Sequence, residues 1–346
     1  MSITLITGGA GFVGSNTADR LLSEGRRVRI LDNLSRAGVS TNLAWLSHRH
    51  GSLLEFEQGD VRDEACVHRS MQDVEEVFHF AAQVAVTTSL ERPREDLAVN
   101  VGGTINLLEE ARAMTQPPSI VFTSTNKVYG SLEDVVLSEL DDRYEPHSPE
   151  LRATGVGESR PLQFCTPYGC SKGAADQYVL DWARSYGVPA VVMRMSCIYG
   201  PRQFGTEDQG WVAHFLIQAL ADTPITIYGD GKQVRDILFV EDLVDALTTV
   251  QYRAGELAGS AFNIGGGPAN AVSLNEVLGL IGQLTRRRPQ VRPASWRSGD
   301  QRYYVTDHRR LTDRVGWRPR VDVREGLTRL RDWLLEQQQV ESTIAA

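Results

Sequence analysis

The chain has 346 residues, of which 41% are hydrophobic and 23% charged, with a formal net charge of −8. That length allows one large domain or two closely joined ones, and the acidic balance argues against general nucleic-acid affinity, leaving only local arginines to bind small anions. No apolar run approaches the ~20 residues that a bilayer span needs, so no membrane partner is expected.

The chain opens M-S-I-T-L-I-T-G-G, with no basic leader, long apolar core or cleavage site, and the expected location is the cytoplasm. Ser2 to Ile6 reads as a short apolar strand. It runs into G-G-A-G-F-V-G and an amphipathic helix from about Ser15 to Glu24. In such a unit Gly8, Gly11 and Gly14 let the backbone turn tightly, approach a pyrophosphate and pack helix on strand, while the helix N-terminus meets the anion. A glycine trio alone is a weak signal. Here it follows the first strand and opens a helix, and a second strand, Val28 to Leu31, ends in Asp32. An aspartate at that position accepts hydrogen bonds from adenosine ribose hydroxyls and repels a 2′-phosphate, so NAD is expected over NADP. Arg36, in N-L-S-R, either contacts the adenine or a ribose or is a solvated loop arginine.

The alternation continues with a strand from Leu53 to Gln58, Asp60 and Val61 at its end, a helix to Gln72, and a strand from Glu76 to Phe80 that enters A-A-Q-V-A-V. The small Ala81 and Ala82 let a cofactor lie against backbone. Asn100 opens N-V-G-G-T ahead of a helix with Leu107, Leu108 and Ala111, and is placed to bond either the cofactor loop or its own turn. A strand from Ser119 to Ser124 follows. The polar, loop-like stretch from Ser138 to Cys165 exceeds an ordinary connection, so it is expected either to fold over a substrate or to contact another subunit.

Next comes T-P-Y-G-C-S-K-G-A-A-D-Q-Y, in which Pro167 fixes the entry to a helix that continues through Trp182. Tyr168 and Lys172 fall four apart and share one helix face, so an ammonium lies beside a phenol. Free tyrosine titrates near pH ~10 and a neighbouring cation favours its ionised form, which makes Tyr168 an expected base near neutrality. The spacing alone occurs on many solvated helices. It gains meaning from the upstream strand I-V-F-T-S-T-N-K-V-Y-G, which ends in hydroxyl residues. A strand from Pro189 to Met195 and Y-G-P-R-Q complete the alternation, and the expected fold is α/β with a doubly wound parallel sheet.

Beyond Gly200 the pattern loosens into D-Q-G-W-V, an apolar helix from His214 to Ala221, a strand from Ile225 to Tyr228 and G-D-G-K-Q-V-R-D. The reading is a cofactor domain over 1–200, a smaller substrate lobe over 201–335 and a tail over 336–346 that frays. The lobe is partly interleaved, because segments near 235–265 can return to the main sheet. Ser273 and Glu276 form a capping box, which makes Glu276 structural. Arg286 to Arg288 reads as a solvated helix end. The cysteines Cys66, Cys165, Cys170 and Cys197 show neither a C-x-x-C pair nor zinc-like histidine spacing, so reduced thiols and no metal are expected.

Taken together, G-G-A-G-F-V-G, Asp32, Asp60, H-F-A-A, S-T-N-K-V-Y-G, Tyr168 with Lys172, Y-G-P-R-Q and G-D-G-K-Q-V-R-D resemble the extended short-chain dehydrogenase/reductase family, in its branch of NAD-dependent sugar-nucleotide epimerases and dehydratases. The resemblance covers nearly the whole chain. It implies a Rossmann-like fold, bound NAD, a nucleotide-sugar substrate and a homodimer or homotetramer built on the Ala111 and Tyr168 helices. The alternative is that those helices pack only within one chain. By the same resemblance Thr125 bonds the reacting hydroxyl, Tyr168 is the base and Lys172 is its electrostatic partner and holds the nicotinamide ribose. The implied cofactor set is Gly8, Gly11, Phe12, Val13, Gly14, Asp32, Asn33, Ser35, Arg36, Asp60, Val61, Phe80, Ala81, Ala82, Gln83, Asn100, Thr123, Ser124, Tyr168, Lys172 and Met195. The implied substrate set is Val86, Thr125, Asn126, Lys127, Gln209, Arg235 and Arg302, the two arginines taking the pyrophosphate. Many relatives carry asparagine where this chain has Cys197, which leaves a phosphate contact there open.

D-N-L-S-R, N-V-G-G-T, D-Q-G-W-V, S-G-D-Q-R and the long tyrosine motif look most like epimerases that invert C2 of a CDP-sugar. A 4,6-dehydratase needs an acid pair after the threonine, and here those positions are Asn126 and Lys127. A 4-epimerase or a decarboxylase stays open. A catalytically silent NAD-binding regulatory or scaffold protein is the rival of another class, against which intact Thr125, Tyr168 and Lys172 argue.

Overall fold

The computed structural model describes residues 3–345, without the side chains of 338 and 340–345, so Ser2 lies outside the described residues. Its centre is a sheet of seven parallel strands in the order Ala261–Ile264, Ala190–Met195, Ser119–Thr125, Val74–His79, Ile3–Thr7, Arg27–Asp32, Leu54–Gln58. Successive residues of the central strands enter opposite cores. Leu5, Ile120 and Phe122 pack with Leu107, Leu108, Ala111, Ala175 and Val179 on one face, whereas Ile6, Phe78 and Val121 pack with Ala18, Leu21, Leu46, Leu243 and Leu247 on the other. Burial on both faces suits the apolar runs of Ser119–Thr125 and Ala190–Met195, whereas the edge strand Leu54–Gln58 keeps Phe56 39% exposed.

The chain winds outward from Ile3–Thr7 through the second and third strands, then crosses back so that Val74–His79 pairs with the other edge of Ile3–Thr7. That reversal opens a crevice at the carboxyl ends of the strands, where doubly wound sheets bind ligands.

The chain leaves this sheet after Met195 and returns to it. Ala261–Ile264 pairs with Ala190–Met195, and the helix Val240–Tyr252 lays Leu243 and Leu247 on the sheet. Between and beyond, a second core gathers Val212, Phe215, Leu216, Ile237, Val277, Ile281, Leu327 and Leu330. Strand Val234–Phe239 is its axis, pairing with Cys197–Tyr199, Ala271–Ser273 and Tyr303–Tyr304. The Ser273 capping box is formed with Glu276. The final helix spans Val323–Ala345 and carries helical backbone through the stretch expected to fray.

The stretch read as a loop from Ser138 to Cys165 is more ordered than its sequence suggested. Leu137–Glu139 and Tyr144–Pro146 pair antiparallel, and Pro149–Thr154 is a short helix capped by Ser148. The Tyr144 N–H donates to the Lys232 carbonyl at 2.9 Å and the Val156 N–H to the Val305 carbonyl at 2.7 Å. These bonds fasten the segment to the residues just before Val234–Phe239 and just after Tyr303–Tyr304.

Candidate active site

The crevice is a cleft of about 520 Å³. Its floor is the turn between the first strand and the helix Phe12–Ser23. Gly8 has φ of +68°, and a Cβ on Gly14 would stand 2.3 Å from the Gly8 carbonyl oxygen, so a side chain at either position would close the turn. The helix has no side-chain cap and no acid in its first turn. Its first N–H groups and the positive end of its dipole are therefore free to meet a pyrophosphate.

Asp32 ends the second strand on the cleft wall. The Leu34 N–H donates to Oδ1 at 2.9 Å and the Ala10 N–H to Oδ2 at 3.1 Å, which orients the carboxylate and leaves lone pairs for ribose hydroxyls. Burial raises its carboxyl above the ordinary range, an effect that the two N–H groups and Arg36 only partly offset. Asp60 accepts from Asn33 Nδ2 at 2.8 Å and is forked by Arg62 at 2.8 and 2.7 Å, which holds it far below the usual carboxylate range. Arg36 points across the cleft and donates to Gln209 Oε1. These features suit a dinucleotide with an unphosphorylated ribose.

The far wall carries the tyrosine–lysine pair. Tyr168 and Lys172 sit near the start of the helix Thr166–Tyr186, 9% and 4% exposed. The Tyr168 N–H is anchored on Ser89 Oγ at 3.1 Å, and Lys172 Nζ donates to the Thr123 carbonyl at 2.7 Å above the Phe122 ring. Thr125 ends its strand, and its hydroxyl accepts from the Lys127 N–H at 3.2 Å and acts on the titration of the Tyr168 phenol as a hydrogen-bond partner. Sequence reasoning had the phenol shifted toward neutrality by the lysine. In the structure burial dominates: it pushes the phenol up to about 12 and the ammonium down to about 7. Removing both groups from water disfavours both charged forms.

All of the expected cofactor residues line this cleft except Asn100. Asn100 is 1% exposed, and its amide is consumed inside the fold: Oδ1 accepts from the Gln83 N–H at 2.9 Å while Nδ2 donates to Ser171 Oγ at 2.9 Å and to Asp96 Oδ1 at 3.2 Å. It supports the cleft wall from behind.

Of the expected substrate residues only Gln209 lines the same cleft. Asn126, Lys127 and Arg235 meet on its far side around Asp300 and Gln301. Asn126 Nδ2 and Lys127 Nζ donate to Gln301 Oε1 at 3.2 and 3.4 Å, and Arg235 pairs with Asp300 at 2.6 Å. Burial and the neighbouring Arg235 lower the Lys127 ammonium. Arg302 stands apart, its guanidinium over the Tyr144 and Trp296 rings at 5.5 and 5.6 Å. Val86 opens the helix Val86–Glu91 beside the cleft residues Ala85 and Thr88. Cys197 accepts the Trp211 indole N–H at 3.4 Å, and burial raises its thiol, so it is a neutral space-filling group.

Sequence reasoning missed Asp300 and Gln301, although S-G-D-Q-R had been singled out. The signal was a buried arginine in need of a carboxylate. It also missed Arg62, Arg202, Gln203, Phe204, Thr206 and Asp208, which line the cleft. Y-G-P-R-Q was the available hint for Arg202 and Gln203.

A glycine-floored cleft at the switch point of a parallel sheet, walled by an aspartate that ends the second strand and by a tyrosine–lysine pair, defines an NAD-dependent enzyme of the short-chain dehydrogenase/reductase type. A family model described as the NAD dependent epimerase/dehydratase family matches residues 4–265, and the chain belongs to that family. It is 43% identical to a CDP-paratose 2-epimerase of Salmonella typhi over 95% of this chain and 98% of that protein. A dTDP-glucose 4,6-dehydratase of Xanthomonas campestris is 32% identical over 98% and 94% of the two chains. Among solved structures, a Thermus thermophilus UDP-glucose 4-epimerase in complex with NAD is 31% identical, with a TM-score of 0.80 over 96% of this chain and 99% of that one. No helix among the described residues is long and apolar enough to cross a membrane.

Proposed function

We propose that this enzyme inverts C2 of a CDP-linked sugar through a transient ketone, without net redox change. The observation that carries the reading is the identity of 43% to the CDP-paratose 2-epimerase across nearly the full length of both chains. NAD, when bound, supplies the hydride acceptor and donor. Tyr168 takes the proton of the C2 hydroxyl as hydride leaves and returns it when the ketone is reduced. Thr125 holds the reacting oxygen, and Lys172 secures the nicotinamide ribose and favours the phenolate. By the family resemblance Arg235 and Arg302 take the pyrophosphate and Val86, Asn126, Lys127 and Gln209 the rest of the substrate, although of these only Gln209 lines the cofactor cleft. Asn126 and Lys127 stand where a dehydratase needs an acid pair, and an asparagine amide exchanges no proton usefully. Products resolved by NMR from a panel of CDP-, UDP-, GDP- and dTDP-sugars test the assignment. The expected outcome is C2 inversion of a CDP-sugar; inversion at C4 or water loss overturns it.

The route has its own test. Direct oxidation keeps the C2 hydrogen, whereas removal of a carbon-bound proton exchanges it with solvent. In heavy water the product is expected to carry no deuterium at C2. Deuterium there would sink the mechanism even if C2 inversion stood.

The same reading keeps the cytoplasmic location expected from the sequence, and an assembly of two or four chains. What supports the assembly is an aromatic ladder on the Tyr168 helix: Tyr178, Trp182 and Tyr186 fall four apart with ring centroids 5.6 and 5.0 Å apart. Tyr178 and Tyr186 are 40% and 48% exposed.

A further inference from the structure

Behind the tyrosine–lysine pair four charged side chains are buried together: Lys172 and Arg194 at 4% and 5% exposed, Asp96 and Asp176 at 0%. Asp176 is committed to Arg194, whose guanidinium donates to both of its carboxylate oxygens at 2.8 and 2.9 Å. Lys172 Nζ donates to a neutral carbonyl, that of Thr123. Two cations against one committed carboxylate would leave a positive charge uncompensated in the interior, a costly arrangement.

Asp96 is the remaining carboxylate. It lies on Pro93–Leu97, which packs against the Tyr168 helix. Its Oδ1 accepts from Asn100 Nδ2, and the same amide donates to Ser171, the residue before Lys172. Its Oδ2 is buried, and burial raises its carboxyl while the Ser171 hydroxyl and the Lys172 ammonium pull it down. We propose that Asp96 is a positioning residue for the Tyr168–Lys172 pair, supplying the negative charge against which Lys172 keeps its proton and its hold on the Thr123 carbonyl. The role rests on the function proposed above only in what the pair does, not in how its charge is balanced.

The other groups facing this interior leave that task to Asp96. Tyr168 and Asp176 belong to the same helix as Lys172. His79, on the neighbouring strand, is kept neutral by burial, its ring nitrogens 2.7 Å from Thr7 Oγ1 and 3.0 Å from Thr104 Oγ1. Arg36 acts on Tyr168 from the cleft side, and Arg194 is paired. Against burial, Asp176 and then Asp96 support the charged form of Lys172, and of the two only Asp176 is shared with Arg194. If Asp96 is neutralised, the most favourable way to remove the residual charge is for Lys172 to lose its proton at lower pH.

The chain has three lysines, Lys127, Lys172 and Lys232, so their side-chain carbon-13 resonances can be followed in the NAD-loaded protein and that of Lys172 assigned with Lys172→Arg. In Asp96→Asn, a near-isosteric change, the Lys172 titration midpoint is expected to fall by about one pH unit or more, the usual effect of a nearby opposite charge. Lys127 and Lys232 are expected to keep theirs, and Asp96→Glu is expected to keep the midpoint near that of the unmodified protein. The alkaline limb of kcat for C2 inversion moves down by the same amount. A merely structural Asp96 would lower kcat at every pH without moving the Lys172 midpoint, and that result overturns the proposal. The titration needs no substrate, so it decides the role of Asp96 even if the substrate assignment fails. If Asp96→Asn does not fold, Lys172→Met removes the other partner. Asp96 is then expected to take up a proton at pH 7 and show a protonated-carboxyl infrared band absent from the unmodified protein; no such band also overturns the proposal.

Discussion

At the scale of single residues, Tyr168 meets two opposing demands. A phenol pushed up to about 12 by burial is a ready proton donor for the return of the ketone to an alcohol, and a poor acceptor for the forward step until a cation offsets the burial. Tyr168→Phe removes the transferable proton and little volume. Turnover is expected to fall by about 10²-fold or more, while NAD content after gel filtration stays near one per chain. A variant that kept its turnover would remove Tyr168 from the chemistry. Lys172 leaves a second signature. Its ammonium is pushed down to about 7, against ~10.4 in an unfolded chain, so between those values the unfolded state binds more protons than the folded one. Its contribution to stability is therefore full above ~10.4, declines as pH falls, and is lost below about 7. Lys172→Met is expected to flatten the rise in stability between pH 7 and 9, measured by urea unfolding at each pH. An unchanged slope would mean that the lysine is solvated.

At the scale of elements, what was legible in the sequence was what short-range backbone chemistry dictates. The glycine turn, the aspartate ending the second strand, the Tyr168 helix with its proline entry and the Ser273 capping box each signal themselves within a few residues. The stretch from Ser138 to Cys165 does not. Three-residue strands carry no measurable alternation, and a six-residue helix carries no periodic face, so only tertiary bonds reveal them. The same limit hid the pairing of Arg235 with Asp300, 65 residues apart, and the commitment of Asn100 to Asp96 and Ser171. The amides of Tyr144 and Val156 should thus exchange with solvent as slowly as those of strand Val234–Phe239, even without nucleotide-sugar, as read by hydrogen-exchange mass spectrometry. Rapid exchange that only nucleotide-sugar slows would instead make the segment a lid.

At the scale of the whole molecule, the proposed assembly turns on which faces the monomer already uses. Ala111, Leu107 and Leu108, and with them Ala175, Val179 and Leu180, are buried inside the single chain, so these apolar faces of the helices that the resemblance pairs between subunits are satisfied without a partner. The faces left over are narrower. Tyr178 and Tyr186 remain exposed along the Tyr168 helix, the Arg112 guanidinium lies 4.7 Å from the Tyr186 ring centroid, and Leu97 is 55% exposed. Aromatic rings that keep one face in water and an arginine stacked on one of them match the composition of protein interfaces. If two copies pair there, Tyr178→Asp combined with Leu97→Asp places four carboxylates in the contact, two from each chain, with no new cation to meet them. Light scattering at micromolar concentration is expected to show the unmodified protein at twice or four times the chain mass, and the double variant at half the unmodified value or less. Neither change touches the glycine floor or Asp32, so the variant should still bind NAD. A monomer mass for the unmodified protein would end the assembly proposal; an unchanged assembly in the double variant would move the interface to another face.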